Sequence, residues 1–280
     1  MKLAILVLVA ACTEPRAGSA PAAPCPPAAV TTPGTRPYVI GETFDLDSKV
    51  LGERRVINVY LPPDYTSGAT YPVLYMPDGG FKEDFHQITG LVDVSTKNEV
   101  IRPMIVVGIE NTERRRDLTG PTDVPDELKA APHAGGSDKF RQFLRDELKP
   151  QIRARYHATD ESALIGESLA GLFVIETLLV EPALFDTFIA VDPSVWWHRQ
   201  AAVKTAATRF ASWSLPPKRV FITTGDLPEM QQGVAVLMAA YREHAPAGLA
   251  IRYEPMPAEH HNTIYPVSAL RALRTLFARP

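Results

Sequence analysis

The sequence predicts an α/β fold with a mostly parallel sheet, helices on both faces and an antiparallel hairpin at its beginning. Three observations support this prediction. Short apolar strands alternate with helical stretches, which is typical of parallel sheets. Two alternating strands meet at Gly52-Glu53, a hairpin turn signal. A short strand, Ser162 to Ile165, runs through a Gly-x-Ser turn into an apolar helix from Gly171 onward.

The elements follow from hydrophobic periodicity and from turn residues. An amphipathic helix is predicted over Ser137 to Tyr156, with Ser137 as its cap, because apolar residues recur there at helical spacing. The other predicted strands are Thr43 to Val50, Arg54 to Leu61, Tyr71 to Pro77, Pro103 to Ile109, Thr187 to Val191, Arg219 to Thr223 and Leu249 to Tyr253.

Composition and the N-terminal residues predict three regions. Residues 1–12 have the pattern of a lipoprotein-type signal peptide, because the apolar run is too short to span a bilayer and Val9-Ala-Ala-Cys12 resembles a lipobox. Residues 13–37 contain seven prolines and predict a stiff tether. Residues 38–280 form the folded domain. The formal charge of −3, without a basic stripe, argues against a nucleic-acid partner.

The two cysteines lie in the N-terminal regions. A lipidated Cys12 before a proline-rich spacer predicts a protein outside the cytoplasm, anchored in a membrane or, if a plain signal peptide is cleaved, secreted. Cys25 then has no partner, because the folded domain contains no cysteine. No role is assigned to it.

The segment Gly166-Glu-Ser-Leu-Ala-Gly171 predicts a nucleophile elbow centred on Ser168. A strained strand-to-helix turn exposes the serine hydroxyl and leaves the Leu169 amide free to donate to an oxyanion. Ala170 stands at the second glycine position of the Gly-x-Ser-x-Gly template, so the match is imperfect. An ordinary serine N-cap is the alternative interpretation of the same residues.

Several ordered segments extend this pattern across most of Thr43 to Phe277. They are Tyr71 to Gly79, Arg114 to Leu118, Phe140 to Pro150, Gly166 to Leu172, Asp192 to Trp197 and Glu259 to Ile264. Together they resemble the α/β-hydrolases of the putative esterase family, which includes enterochelin-type siderophore esterases and esterase D-like proteins. Two residues depart from the family pattern: Glu167 replaces the usual His, and Ala170 replaces the usual Gly.

The resemblance implies a triad of serine, acid and histidine in that chain order. His260 and His261 both follow the last predicted strand, and His261 takes the catalytic place of the family motif. The acid is expected after the penultimate strand, where both Asp226 and Glu229 qualify. The family spacing favours Glu229, with Asp226 as the alternative.

Oxyanion-hole and substrate-binding residues are also implied by the resemblance. Besides Leu169, the second amide is expected from Gly80 or Phe81, in a glycine turn that follows a strand. One of the arginines of the Arg114-Arg115-Arg116 run is expected to bind an anionic substrate group, and Arg116 is assigned. Trp197 is expected to line the pocket. A solvated charged face and a core tryptophan are the respective alternatives.

The predicted function is a serine carboxylic-ester hydrolase that acts on siderophore-like or other polar esters through an acyl-enzyme. An acyltransferase of the same fold and a non-catalytic ligand-binding lipoprotein are the alternatives. The expected partners are a small-molecule ester and a membrane contacted through Cys12. No cofactor and no metal are expected, because metal-ligand spacing and a phosphate loop are both missing from the sequence.

Overall fold

In the computed structural model, which describes residues 34–35, 39–214 and 216–279, an eight-stranded sheet lies at the centre of the folded domain. Its strands are β1 (Glu42–Ser48), β2 (Glu53–Tyr60), β3 (Tyr71–Pro77), β4 (Ile105–Ile109), β5 (Ala158–Glu167), β6 (Thr187–Val191), β7 (Lys218–Thr224) and β8 (Leu249–Pro255). The spatial order is β1-β2-β4-β3-β5-β6-β7-β8.

The sheet is parallel from β4 to β8 in this order, whereas β2 pairs antiparallel with both β1 and β4. The predicted mostly parallel sheet with an N-terminal hairpin is therefore confirmed. Gly52 has a φ of 69° in the hairpin turn, a conformation that glycine adopts without a steric penalty. All five residues of β6 are buried, which explains why its last four residues are all apolar and do not alternate with polar ones.

Helices cover both faces of the sheet. They are α1 (Phe85–Lys97), α2 (Arg114–Asp117), α3 (Pro125–Ala130), α4 (Ser137–Phe143), α5 (Lys149–Arg155), α6 (Leu169–Val180), α7 (Trp197–Lys204), α8 (Ala206–Ala211), α9 (Pro228–His244) and α10 (Ile264–Leu276). Helices α1 and α10 contribute to one hydrophobic cluster, and α4 to α9 contribute to the other. Burial of these apolar faces is the main favourable term in folding.

The predicted helix from Ser137 to Tyr156 is present as α4 and α5, joined by a π-helical segment, Leu144–Leu148. The prediction that Ser137 caps it is wrong, because Gly136 occupies the N-cap position. The Ser137 hydroxyl instead donates a 2.9 Å hydrogen bond to Glu176 Oε2 in α6. A buried carboxylate needs such donors, and this one fixes α4 against α6.

The parallel arrangement determines where a site can form. Strands β3, β5, β6 and β7 run in the same direction, so the loops at their carboxyl ends lie along one edge of the sheet. Across the described ranges, no helix combines the length and apolar character needed to cross a membrane. Cys12, Cys25, the signal peptide and nearly all of the predicted tether lie outside the described residues.

Candidate active site

Ser168 occupies the sharp turn between β5 and α6. Its φ and ψ are 60° and −120°, a sparsely populated combination that costs on the order of 1–3 kcal/mol in a non-glycine residue. Hydrogen bonds hold the turn, because the Ser168 amide donates to the Val191 carbonyl at 3.0 Å and the Ser168 carbonyl accepts from Ser194 and Leu172, each at 2.9 Å. The predicted elbow geometry is therefore present.

Gly166, Ala170 and Gly171, which lie two or three residues from Ser168, are small for a steric reason. A Cβ on Gly166 would lie 2.6 Å from the carbonyl carbon and the Cβ of Ala170. A Cβ on Gly171 would lie 3.0 Å from the Val191 carbonyl oxygen. Strand and helix thus approach closely at both glycines, and Ala170 is tolerated at the second glycine position of the template because Gly166 leaves room for its methyl group.

His261 lies beside Ser168. Its Nε2 is 3.1 Å from the Ser168 hydroxyl oxygen, within the range expected between a general base and the proton it accepts. The neighbouring histidine, His260, is exposed, and its Nδ1 is 2.6 Å from Asp226 Oδ2. Of the two histidines that the sequence leaves open, His261 is the one in contact with the candidate nucleophile.

The acid that contacts His261 is Asp192, which is not among the acids predicted from the sequence. His261 Nδ1 is 2.6 Å from Asp192 Oδ2, and the amide of Gly225 donates to Asp192 Oδ1 at 2.8 Å. Asp192 is fully buried and has a φ of 41°. These contacts account for both oxygens of a carboxylate that would otherwise be costly to bury.

The expected acids, Glu229 and Asp226, are placed elsewhere. Glu229 is exposed in the first turn of α9, and the Asp226 carboxylate is bonded to His260. The reason is topological: Asp192 follows β6, which is adjacent to the nucleophile strand β5, whereas Asp226 and Glu229 follow β7. The feature of the sequence that could have identified Asp192 is its position directly after a fully buried strand, at the start of Asp192-Pro-Ser-Val-Trp-Trp197.

The oxyanion-hole amides differ from the expectation at Gly80. Leu169 is the first residue of α6, and no hydrogen-bond acceptor for its amide is found among the described residues. The Gly80 amide is engaged, because it donates a 2.7 Å hydrogen bond to Glu83 Oε2. The Phe81 amide likewise has no acceptor among the described residues, so Leu169 and Phe81 are the candidate donors.

A pocket of about 440 Å³ opens over Ser168 and His261, a size typical of small-molecule sites. Trp197 lines this pocket and is also buried in the hydrophobic core, so both interpretations that the sequence left open apply to it. A 3.0 Å hydrogen bond from its Nε1 to the Gly120 carbonyl orients the ring. The pocket is also lined by Leu169, Ala130, Ala131, Trp196 and Met230, and by the charged residues Arg114, Arg115, Asp126 and Glu127.

Arg116, the arginine assigned to substrate binding, does not line this pocket. It donates hydrogen bonds to Glu53 Oε1 and to Asp117 Oδ1, each at 2.7 Å. Asp117 also accepts from the fully buried Arg55. Burial raises the pKa of Glu53, but hydrogen bonds from Arg116, Thr112 and Arg55 outweigh this effect and lower the pKa to about 2. Arg116 therefore belongs to an ion-pair cluster that joins α2 to β2.

The other two arginines of the run line the pocket, but they differ in whether a carboxylate pairs with the guanidinium. Arg114 donates two hydrogen bonds to Asp78, at 2.6 and 2.8 Å. Arg115 is exposed and donates to the Ala130 carbonyl. Among the described residues, no carboxylate pairs with Arg115. Its charge is thus available to a ligand, whereas the charge of Arg114 is already compensated.

Several carboxylates lie near the site, at the end of β5 and in the segment that follows β3. Burial raises the pKa of Glu167 to about 7 and that of Asp84 to about 6. The pKa of His261 is raised by its hydrogen bond to Asp192 and, after a smaller opposing effect of burial, by the charge of Glu167. Within the described ranges, no group of three or more His, Cys, Asp or Glu side chains is arranged to hold a metal ion.

Serine, histidine and a buried carboxylate joined in this order form the arrangement that supports nucleophilic acyl transfer. In enzymes with this arrangement, the imidazole accepts the serine proton, the carboxylate holds the ring in the required tautomer, and backbone amides stabilise the oxyanion. The geometry thus fits chemistry on an acyl group.

Comparisons with known proteins point to the same chemistry. A family model described as putative esterase matches residues 48–264. Over 273 residues, the chain is 29% identical to ferri-bacillibactin esterase BesA of Bacillus subtilis, covering 88% of this chain and 90% of that protein. A siderophore enterobactin esterase of Emericella nidulans is 31% identical over 117 residues, which is 39% of this chain and 38% of that protein.

Solved structures agree with these relatives. An IroE-like serine hydrolase from Shewanella oneidensis is similar with a TM-score of 0.78 and 26% identity, covering 85% of this chain and 80% of that one. The BES protein from Bacillus cereus has a TM-score of 0.78 at 23% identity, over 89% of this chain and 100% of that one, and shows the shared fold. The comparisons give no support to an acyltransferase or to a non-catalytic binding lipoprotein.

Proposed function

Because the chain belongs to the putative esterase family and is a carboxylic ester hydrolase of the α/β-hydrolase fold, we propose that it acts through an acyl-enzyme on Ser168. His261 is the general base, and Asp192 is the acid that orients it. The observation that supports this most is the line of hydrogen bonds from Asp192 through His261 to Ser168, at 2.6 and 3.1 Å.

In the proposed mechanism, the Ser168 hydroxyl attacks the ester carbonyl while His261 Nε2 takes its proton. The amides of Leu169 and Phe81 stabilise the oxyanion of the tetrahedral intermediate. His261 then gives the proton to the leaving alcohol oxygen, which leaves the acyl group on Ser168. Water attacks this ester in a second cycle of the same kind, and the carboxylic acid is released as Ser168 regains its proton.

Substitutions at the three residues test this assignment. We expect Ser168→Ala and His261→Ala each to lower kcat/KM on a short-chain aryl ester by roughly 10⁴-fold or more, and Asp192→Asn by roughly 10³–10⁴-fold, because the wrong tautomer is then favoured. The matched amide variants Asp226→Asn and Glu229→Gln should change kcat/KM by less than about threefold, since neither residue reaches His261.

Labelling with a fluorophosphonate probe provides the direct check on the nucleophile. The wild-type protein should react, and Ser168→Ala should not. Labelling that survives in Ser168→Ala would remove Ser168 from the mechanism. A loss in Glu229→Gln equal to that in Asp192→Asn would contradict the assignment of Asp192 and favour Glu229 as the acid.

The proposed substrates are polar esters with anionic groups, among them siderophore esters of the type named for the relatives. Two features of the pocket support this class. Trp196 and Trp197 provide aromatic surface, and Arg115 provides a guanidinium without a carboxylate partner among the described residues. Asp126 lines the same pocket with an exposed carboxylate, so the two residues have opposite effects on an anionic group.

Charge selectivity therefore offers a paired prediction. The ratio of kcat/KM for an anionic ester to that for a neutral ester of equal length should fall roughly tenfold in Arg115→Ala and rise several-fold in Asp126→Asn. Arg242→Ala is the matched control, because Arg242 is exposed on α9 about 18 Å along the helix from Met230 of the pocket. An unchanged ratio in both pocket variants would contradict the proposed substrate class.

We also propose that Cys12 anchors the mature protein in a membrane outside the cytoplasm. The support is in the sequence alone, where the lipobox-like Val9-Ala-Ala-Cys12 precedes a proline-rich spacer. We expect the wild-type protein to sediment with membranes and to incorporate a labelled fatty acid, and Cys12→Ala to do neither. Cys25→Ala is the matched control. Soluble, unlabelled wild-type protein would rule out the anchor.

A further inference from the structure

Two side chains of the described residues are hydrogen-bonded to the Ser168 hydroxyl. One is His261, at 3.1 Å, and the other is Ser194, whose hydroxyl oxygen lies 3.3 Å from that of Ser168. The mechanism proposed above uses only the first. Ser194 is 2% exposed and also lines the pocket over the nucleophile. It is therefore buried in the protein and still borders the space that a substrate fills.

The backbone holds Ser194 in this position. It follows Asp192 and Pro193, directly after β6, which is the strand beside β5. Its amide donates a 2.9 Å hydrogen bond to the Ser168 carbonyl, and its own carbonyl accepts a 3.1 Å hydrogen bond from the Trp197 amide. The two serines are thus held side by side by a backbone hydrogen bond as well as by the contact between their hydroxyl groups.

The neighbouring hydrogen bonds decide which of the two hydroxyl groups is the donor. An ionised Asp192 can only accept, so the ring N–H of His261 lies on Nδ1, 2.6 Å from Asp192 Oδ2. In the neutral imidazole, Nε2 then carries no proton and accepts the hydrogen bond from Ser168. Ser168 has a single hydroxyl proton, so the hydrogen bond between the serines is donated by Ser194.

The Ser194 hydroxyl has no other hydrogen-bond partner within the described ranges, so no other acceptor competes for its proton. Hydrogen bonds between hydroxyl groups are usually about 2.5–3.0 Å long, and the distance of 3.3 Å to Ser168 exceeds this range. Catalytic hydrogen bonds are often long in the free enzyme and shorten once a substrate binds. They also strengthen when the acceptor becomes negative. The contact therefore becomes stronger as Ser168 loses its proton.

We propose that Ser194 is a further catalytic residue: its hydroxyl donates to Ser168 Oγ and stabilises the negative charge that develops there as His261 removes the proton. This inference rests on the proposed roles of Ser168 and His261. Ser194 keeps its own proton throughout the reaction. Its role differs from that of the oxyanion-hole amides, which stabilise charge on the substrate oxygen.

The same hydrogen bond acts in both halves of the reaction. During attack, the O–H bond of Ser168 breaks, its proton passes to His261 Nε2, and the oxygen forms a bond to the acyl carbon. During deacylation, that C–O bond breaks, the electron pair returns to Ser168 Oγ, and the oxygen takes its proton back from His261. Negative charge develops on Oγ in each step, so a donor to this atom favours both transition states.

Ser194→Ala removes the donor and leaves both backbone hydrogen bonds of Ser194 in place. We expect kcat and kcat/KM on a short-chain aryl ester to fall equally, roughly tenfold to hundredfold, because the lost interaction strengthens only in the transition state. The rate constant for labelling of Ser168 by a fluorophosphonate should fall by a similar factor, since labelling requires the same attack. Ser194→Thr, which keeps a hydroxyl, should recover most of both rates.

Ser268→Ala is the matched control. It makes the same chemical change at a fully buried serine of α10, whose hydroxyl oxygen is 2.7 Å from that of Thr223. This variant should keep kcat, KM and the labelling rate within about twofold of wild type. Thermal unfolding midpoints above the assay temperature establish that each variant is measured in its folded state. If Ser194→Thr does not fold, the comparison of Ser194→Ala with Ser268→Ala decides.

Unchanged kcat and labelling rate in folded Ser194→Ala would overturn the inference. A rise in KM alone would do the same, because Ser194 would then contact only the substrate, and so would equal losses in Ser268→Ala. The outcome is separable from the proposed function. If Ser168→Ala is inert and Ser194→Ala is as active as wild type, only the role of Ser194 fails. If Ser168→Ala still reacts, the proposed mechanism itself fails.

Discussion

The 2.6 Å hydrogen bond between His261 Nδ1 and the buried carboxylate of Asp192 is the interaction on which the rest of the site depends. A fully buried carboxylate is tolerated only when hydrogen-bond donors surround it. His261 provides one donor and the Gly225 amide provides the other. The loops after β6, β7 and β8 must therefore meet at one point. They can do so because these strands are parallel and end at the same edge of the sheet.

This meeting point is strained, and the surrounding packing maintains it. Ser168 and Asp192 both have positive φ values, at the ends of neighbouring strands, and each costs on the order of 1–3 kcal/mol. Helix α6 compensates for part of this cost, because 11 of its 12 residues are buried. The buried helix fixes the strained turn, so the Ser168 hydroxyl is in place before any substrate binds. Preorganised catalysis requires a nucleophile that is held in this way.

Local patterns were sufficient for much of the fold and for two residues of the candidate site. Continuous apolar runs identified the buried strands, and the Gly-x-Ser turn located Ser168. Asp192 was missed because a general rule places the acid one strand later, and no local pattern shows that the backbone after β6 turns a carboxylate inward. Arg116 was misassigned because its partner Glu53 is 63 residues away. The prediction of Gly80 as an oxyanion-hole donor did not foresee that its amide donates to Glu83, a contact that composition does not reveal.

The proton in the hydrogen bond between His261 and Asp192 gives the most direct test of the account. At a pH where His261 is protonated, a strongly deshielded proton NMR resonance from a histidine Nδ1–H is expected. It should be lost in Asp192→Asn and in His261→Ala. It should persist in Asp226→Asn and in Glu229→Gln. A resonance that survives in Asp192→Asn but disappears in Glu229→Gln would contradict the assignment of Asp192 and the topology of the site derived from it.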